Sequence, residues 1–200
     1  MKIHRTTALG ALALLAATLP ALATAQSNSP SGLTLEQRLQ RVEDELAIRR
    51  VLIEYAATQD ARDYAGYAAL FAKEGEWING KNVYKGRDAI YQMLVNLYGP
   101  APGPGYVNNE SFHLTSNPQI TVNGDRATAR SRHLLIMRGP GGHPQAVLSG
   151  RYEDELIRED GEWKILRRVD YPVMPTSEEW MKYIRERRAK EAKEKEAKGQ

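Results

Sequence analysis

The sequence predicts an α+β domain in which a cluster of helices packs on one face of a largely antiparallel sheet. Three observations carry this. Apolar residues recur at helical spacing up to about Tyr98, the period changes to two from Ser111 onward, and Asn123-Gly124 and Asp160-Gly161 punctuate the second half as hairpin turns.

The elements follow in order. Thr34-Leu-Glu-Gln37 is a capping box and opens a long first helix. Leu35, Leu39, Val42, Leu46, Arg49 or Arg50, Ile53 and Ala57 step by three and four, so this stripe is expected to face the core as far as about Gln59. Asp63 caps a second, short helix, "YAGYAALFA". A third follows Gly86 in "DAIYQMLVNLY" and stops at Gly99-Pro100. "GPAPGPGYVNNE" then forms a long loop in which Tyr106 is a candidate lid residue.

In "RATARSRHLLIM" one face carries Ala127, Ala129, Ser131, His133, Leu135 and Met137 and the other carries arginines. The first face is dry and the second wet. If Asp160-Gly161 closes its hairpin symmetrically, Leu156 meets Ile165, Tyr152 meets Val169, and Asp154 falls opposite Arg167 as a buried ion pair or a pair of site residues.

The ends are read separately. Residues 1–25 have the order of a secretory signal peptide: a basic start, the apolar run Ala8 to Leu19, and small residues before Gln26. The run is too short to span a bilayer, so no stable membrane anchor is expected after cleavage, and the protein is expected to be exported, periplasmic or secreted. Residues 26–33 form a linker, 34–175 one domain, and 176–200 a charged, solvated helix or tail whose Trp180, Met181 and Ile184 are placed to dock its first turn. There is no cysteine, so disulfides play no part. The net charge of +3 resides in the two ends, with residues 26–177 nearly neutral, which argues against a nucleic-acid partner.

Small residues at 127, 129, 131 and 150 on the dry face suggest room for a small-molecule pocket. Asp60, His113, His133 and Tyr152 are the polar groups placed to reach it. A carboxylate that orients an imidazole makes a general base, because it fixes the tautomer and stabilises the charged ring. No serine or cysteine nucleophile is indicated, and the spacing of the histidines does not suggest a metal site. One geometric point stands against His113. Extending the Asn123-Gly124 hairpin regularly sets Leu114 opposite His133 and turns His113 to the wet face. A bulge near Ser116-Asn117-Pro118, or at the turn, would bring it back.

The segments "IRRVLIEYAATQDARDYAGYAALFAKEGEW", "YKGRDAI", "FHLTSNPQITVNGDRATARSRHLL" and "GRYEDELIREDGEWKILRRV" resemble the SnoaL-like branch of the nuclear transport factor 2-like superfamily. That branch includes scytalone dehydratase, hexachlorocyclohexane dehydrochlorinase and small polyketide cyclases. The resemblance implies a cystatin-like cone, a curved mixed or antiparallel sheet wrapped around three helices, with a small-molecule pocket and frequent dimerisation through the sheet. It implies Asp60 and His113 as an acid/base dyad and His133 near a second catalytic histidine, in a lyase or isomerase without a cofactor. Gln59 stands where scytalone dehydratase has a tyrosine, so that enzyme's substrate does not transfer with the fold. Tyr55, Trp77, Tyr106, Tyr152, Asp154 and Arg167 complete the expected substrate-binding set. The alternative is a non-catalytic ligand-binding or dimerisation module on the same scaffold.

Overall fold

A computed structural model describes residues 32–197; the expected signal peptide lies outside the described residues. The elements are α1 (Leu35–Asp60), α2 (Tyr64–Ala69), β1 (Phe71–Asn79), β2 (Asn82–Lys85), α3 (Arg87–Tyr98), β3 (Ser111–Asn123), β4 (Arg126–Arg138), a 3-10 turn (Pro140–Gly142), β5 (Pro144–Glu159), β6 (Glu162–Met174) and α4 (Ser177–Ala197). Six strands form one sheet in the order β2-β1-β6-β5-β4-β3, antiparallel except where β1 runs parallel to β6. The fold is α+β with a mixed sheet.

Local chemistry explains the helix starts. Thr34 Oγ1 accepts the Gln37 N–H while the Gln37 side chain takes the Thr34 N–H, so two otherwise unpaired donors are satisfied at once. The Asp63 carboxylate accepts the Gly66 N–H in the same way for α2. Helix α2 is shorter than its sequence suggests. It stops at Ala69, and Phe71 enters β1, so the sequence reading missed both β1 and β2.

The larger correction concerns α1. Its body-facing residues are Asp44, Ile48, Leu52, Tyr55, Ala56 and Gln59, whereas Leu35, Leu39, Val42, Leu46 and Ile53 face outward. Both stripes have helical spacing, and the more polar one wins because Asp44 is tied down. It accepts hydrogen bonds from Arg158, from Trp163 Nε1 at 3.1 Å and from Gln40 at 3.1 Å.

The core lies between α1–α3 and the inner face of the sheet, where Ile48, Leu52, Tyr55, Tyr67, Phe71, Ile90 and Leu94 meet Ala127, Ala129, Tyr152, Leu156 and Ile165. Helix α4 stands apart from that core. Ser177 donates to Asn79 (3.0 Å), Arg188 donates to the Leu97 carbonyl (2.8 Å), and Arg187 meets Met137 Sδ (3.5 Å), so it crosses from β1 toward α3 and β4. Trp180 and Ile184 are half-buried on that crossing face, while Met181 is exposed.

Two of the sheet's register slips set the facing of the candidate site residues. The first hairpin turns on Gly124-Asp125, with Asn123 opposite Arg126, one residue later than the sequence suggests. That displacement moves the pairing by two residues and leaves the facing unchanged. The facing changes instead where Asn117 and Pro118 together oppose Ser131, with Asn117 at φ 51°. Beyond this bulge Ile120 and Val122 face inward; before it, His113 and Thr115 do, and Thr115 lies opposite His133.

In the second hairpin Asp160 (φ 53°) and Gly161 (φ 84°) make the turn, and Leu156 meets Ile165 as expected. Leu166 then slips out of register. Asp154 therefore opposes Arg168 and not Arg167, and Tyr152 opposes Asp170 and not Val169.

Candidate active site

Asp60 is the last residue of α1, and its carboxylate closes onto the start of β3. It accepts the His113 backbone N–H at 2.9 Å (Oδ2) and contacts His113 Nδ1 at 2.6 Å (Oδ1). An ionised carboxylate only accepts, so Nδ1 carries the proton and Nε2 is left as the basic nitrogen, a tautomer assigned from the hydrogen bonds. Asn108, which sequence reasoning missed, holds the junction. Its Nδ2 donates to the Asp60 carbonyl (3.1 Å), while its Oδ1 accepts the N–H groups of Glu110 and Ser111. Its Asx-turn chemistry is the signal that marks it.

A second imidazole–carboxylate pair lies deeper. His133 Nε2 is 3.0 Å from Asp170 Oδ1, and Asp170 Oδ2 accepts from Asn79 (3.2 Å). Regular pairing counted from the Asp160-Gly161 turn would set Asp170 on the wet face; the slip at Leu166 turns it inward. The His133 ring stacks on Tyr152 (4.2 Å between centroids, 14° between planes). The ring reaches across β5 to Asp170 because Gly150 has no side chain: a Cβ there would lie 2.3 Å from His133 Nε2 and 2.6 Å from the Tyr171 carbonyl oxygen. Gly150 thus houses a ring, where the sequence suggested open space. His133 Nδ1 and the neighbouring Ser131 Oγ are buried and have no protein partner among the described residues.

Tyr55 connects this pair to the helices. Its hydroxyl accepts from Trp77 Nε1 (2.8 Å), and its ring meets Tyr152 edge-on at 5.5 Å. Burial pushes the Tyr55 phenol up and the Tyr67 and Tyr152 phenols well up, so all three stay neutral donors. Arg168 lies over both Tyr55 (3.7 Å) and Tyr152 (4.3 Å) and binds Asp154 with two hydrogen bonds, of 2.6 and 2.8 Å. Arg167, the expected partner, is instead exposed on the outer face, 3.7 Å from Glu155, and takes no part in the site.

Between the dyad and this cluster stand Gln59 and Tyr98, joined by a 2.8 Å hydrogen bond. Burial pushes the Tyr98 phenol up, although Arg62, whose guanidinium lies 3.7 Å over the ring, opposes the shift. Tyr106 is exposed and lines an open recess of about 390 Å³ with Arg62, Tyr64, Tyr91 and Pro102–Gly105. That recess begins one residue after Asp60 and includes neither member of the dyad. Among the described residues no group of three or more His, Asp or Glu side chains is arranged to hold a metal ion.

With this geometry in place, comparison with known proteins is decisive for the family. The profile of the SnoaL-like domain matches residues 40–169. The chain belongs to the SnoaL-like family. It is 24% identical over 132 residues to the γ-hexachlorocyclohexane dehydrochlorinase of Sphingobium indicum, covering 65% of this chain and 81% of that protein. A Novosphingobium aromaticivorans structure provisionally assigned as a scytalone dehydratase superposes with a TM-score of 0.56 at 28% identity, covering 68% and 88% of the two chains. An NTF2-like protein with a cystatin-like fold from the same organism gives a TM-score of 0.60 at 22% identity over 72% and 90%, a likeness of fold alone.

Proposed function

We propose that this SnoaL-like protein is a cofactor-independent lyase or isomerase acting on a small apolar or aromatic molecule. The observation that carries the proposal is the 2.6 Å contact of Asp60 with His113 Nδ1, which leaves Nε2 as the base. In an elimination, Nε2 takes a proton from carbon, the C–H electron pair forms the double bond, and the leaving group departs with the pair of its own bond. Asp60 stabilises the imidazolium that results. The neutral Tyr152 phenol donates to an oxygen or leaving group of the substrate, and His133 Nδ1 accepts from a substrate hydroxyl. The dehydrochlorinase and dehydratase names of similar proteins support this class of chemistry.

The test is chloride release from γ-hexachlorocyclohexane, together with exchange of acidic C–H protons of small ketones into deuterated water. His113→Gln and Asp60→Asn should each lower any turnover by roughly 10²- to 10⁴-fold without altering the fold. Turnover that survives both substitutions removes His113 as the base.

A second reading, a binding module without turnover, is favoured by one observation. Tyr55, Tyr67, Tyr152 and Arg168 fill the interior, and the 390 Å³ recess lies beside the dyad without including it. A retained ligand identified by native mass spectrometry, with no turnover and unchanged affinity in Asp60→Asn, would favour that reading. Export belongs to the proposal as well: the N-terminus of protein recovered from the cell envelope should be Gln26.

A further inference from the structure

Helix α1 has two faces. One is buried against the body through Asp44, Ile48, Leu52, Tyr55, Ala56 and Gln59. On the opposite side Leu35, Leu39, Val42, Leu46 and Ile53 are 73%, 57%, 55%, 61% and 63% exposed. An apolar row of this kind on a soluble surface calls for a covering partner. Its spacing is regular: 35, 39, 42, 46, 49 and 53 advance by four and three in turn, the d and a positions of a heptad seam. Arg49 is the one polar member, and its guanidinium is turned aside onto Glu45 at 2.7 Å.

The residues flanking the seam identify the partner. In a parallel pair of helices a g residue meets the e residue five positions further along the other chain. Here g holds Arg38, Glu45 and the buried Leu52, and e holds Glu36, Glu43 and Arg50. Arg38 therefore meets Glu43 of a second copy, and Glu45 meets Arg50 of a second copy, so both contacts are of opposite sign and both are doubled by the two-fold axis. All four side chains are at least partly open to solvent. A recess of about 430 Å³ lined by Leu33, Leu35, Arg38, Leu39, Arg41 and Val42 gives this stretch the relief that receives a partner's side chains.

We infer that the protein self-associates through a parallel coiled coil of α1 with α1 of a second copy, built on Leu35, Leu39, Val42, Leu46 and Ile53. This is a different surface from the sheet face on which the family resemblance places dimerisation, and it stands whether or not the site is catalytic.

The chain has no cysteine, so single cysteines report the geometry cleanly. In the full-length protein, Val42→Cys at a d position should form a disulfide-linked dimer rapidly under mild oxidation, whereas Ala47→Cys, on the flank of the helix, should not. Sedimentation velocity across the micromolar range should give twice the chain mass for the wild type and one chain mass for Leu39→Lys/Leu46→Lys. The circular dichroism of that variant should be unchanged, because both side chains point away from the core. Arg38→Glu should raise the dissociation constant at least several-fold, and Arg38→Glu/Glu43→Arg should restore it. A monomeric wild type overturns the inference. So does an oligomer indifferent to Leu39→Lys/Leu46→Lys, or one dissolved by Phe112→Glu on the outer sheet face while Val42→Cys fails to cross-link.

Discussion

The Asp154–Arg168 pair offers the most demanding test of how the interior is held. Both side chains are fully excluded from solvent, and two hydrogen bonds of 2.6 and 2.8 Å join them. Arg168 is further clamped between Tyr55 and Tyr152. Asp154→Leu leaves a guanidinium at the centre of the core with no counter-charge, and breaking a buried pair in this way costs about 3–5 kcal/mol. For a body of this size each kcal/mol shifts the melting temperature by about 2–4 °C, so Asp154→Leu should melt roughly 6–20 °C below wild type.

Arg168→Met should cost a similar amount, because the Asp154 carboxylate is then the orphan. Replacing both partners behaves differently. Asp154→Leu/Arg168→Met removes both charges and fills both positions with apolar side chains, and the thioether keeps a contact with the two rings worth about 0.3–1.5 kcal/mol. The double variant should therefore lie within about 2 kcal/mol of wild type, giving a coupling energy of about 3 kcal/mol or more. Urea titrations followed by the fluorescence of the core residue Trp163 measure all four corners of the cycle. If either single variant loses less than about 1 kcal/mol, or the two losses simply add, the pair does not hold the interior as described.

Gly150→Ala should displace the His133 ring, since its Cβ would sit 2.3 Å from Nε2; NMR of the His133 imidazole should show loss of the Asp170 contact, and an unperturbed resonance would refute the packing account. Asp44 gives a pH prediction. Burial pushes its carboxyl up, but hydrogen bonds from Arg158, Trp163 and Gln40 outweigh that and hold it below the usual range. Its contribution to stability is present above the unfolded value of about 3.9 and is lost as pH falls through the lower folded value. Arg158→Met removes the chief lowering contact, so acid unfolding monitored by circular dichroism should begin at higher pH than in wild type. Truncation after Pro175 removes the contacts of α4 with Asn79, Leu97 and Met137, and hydrogen exchange should rise at those three places and not at Asp44.

Much of the fold is legible residue by residue. Thr34 and Gln37, Asp63, Asp160-Gly161 and the alternation from Ala127 to His133 all act locally, and each is found as its chemistry requires. The face of α1 was not legible, because two stripes share one period. What decides between them is the partnership of Asp44 with Arg158 and Trp163, more than a hundred residues away. Arg168 and Asp170 were missed for a related reason: nothing in the side chain of Leu166 announces that it leaves the ladder. Pro118, by contrast, cannot donate to a ladder and does mark its bulge.

These two slips have the same chemical effect. In a strand of strict alternation, a residue's face is fixed by counting from the turn, and the count from either hairpin here would put His113, Arg168 and Asp170 outside. One extra residue at Asn117-Pro118 turns His113 to Asp60, and one at Leu166 turns Arg168 to Asp154 and Asp170 to His133. The Asp60–His113, Asp154–Arg168 and Asp170–His133 pairs thus each depend on a bulge, whereas Asp44–Arg158 lies next to the turn. The stretches nearer the turns carry Ala127, Ala129, Ile120, Val122, Leu156 and Ile165, which are apolar. The sheet is divided accordingly: regular pairing next to the hairpins builds the core, and the slipped half presents polar groups to the interior. Deleting the extra residue of either bulge would leave that apolar half packed while turning the polar groups of its strand out to solvent.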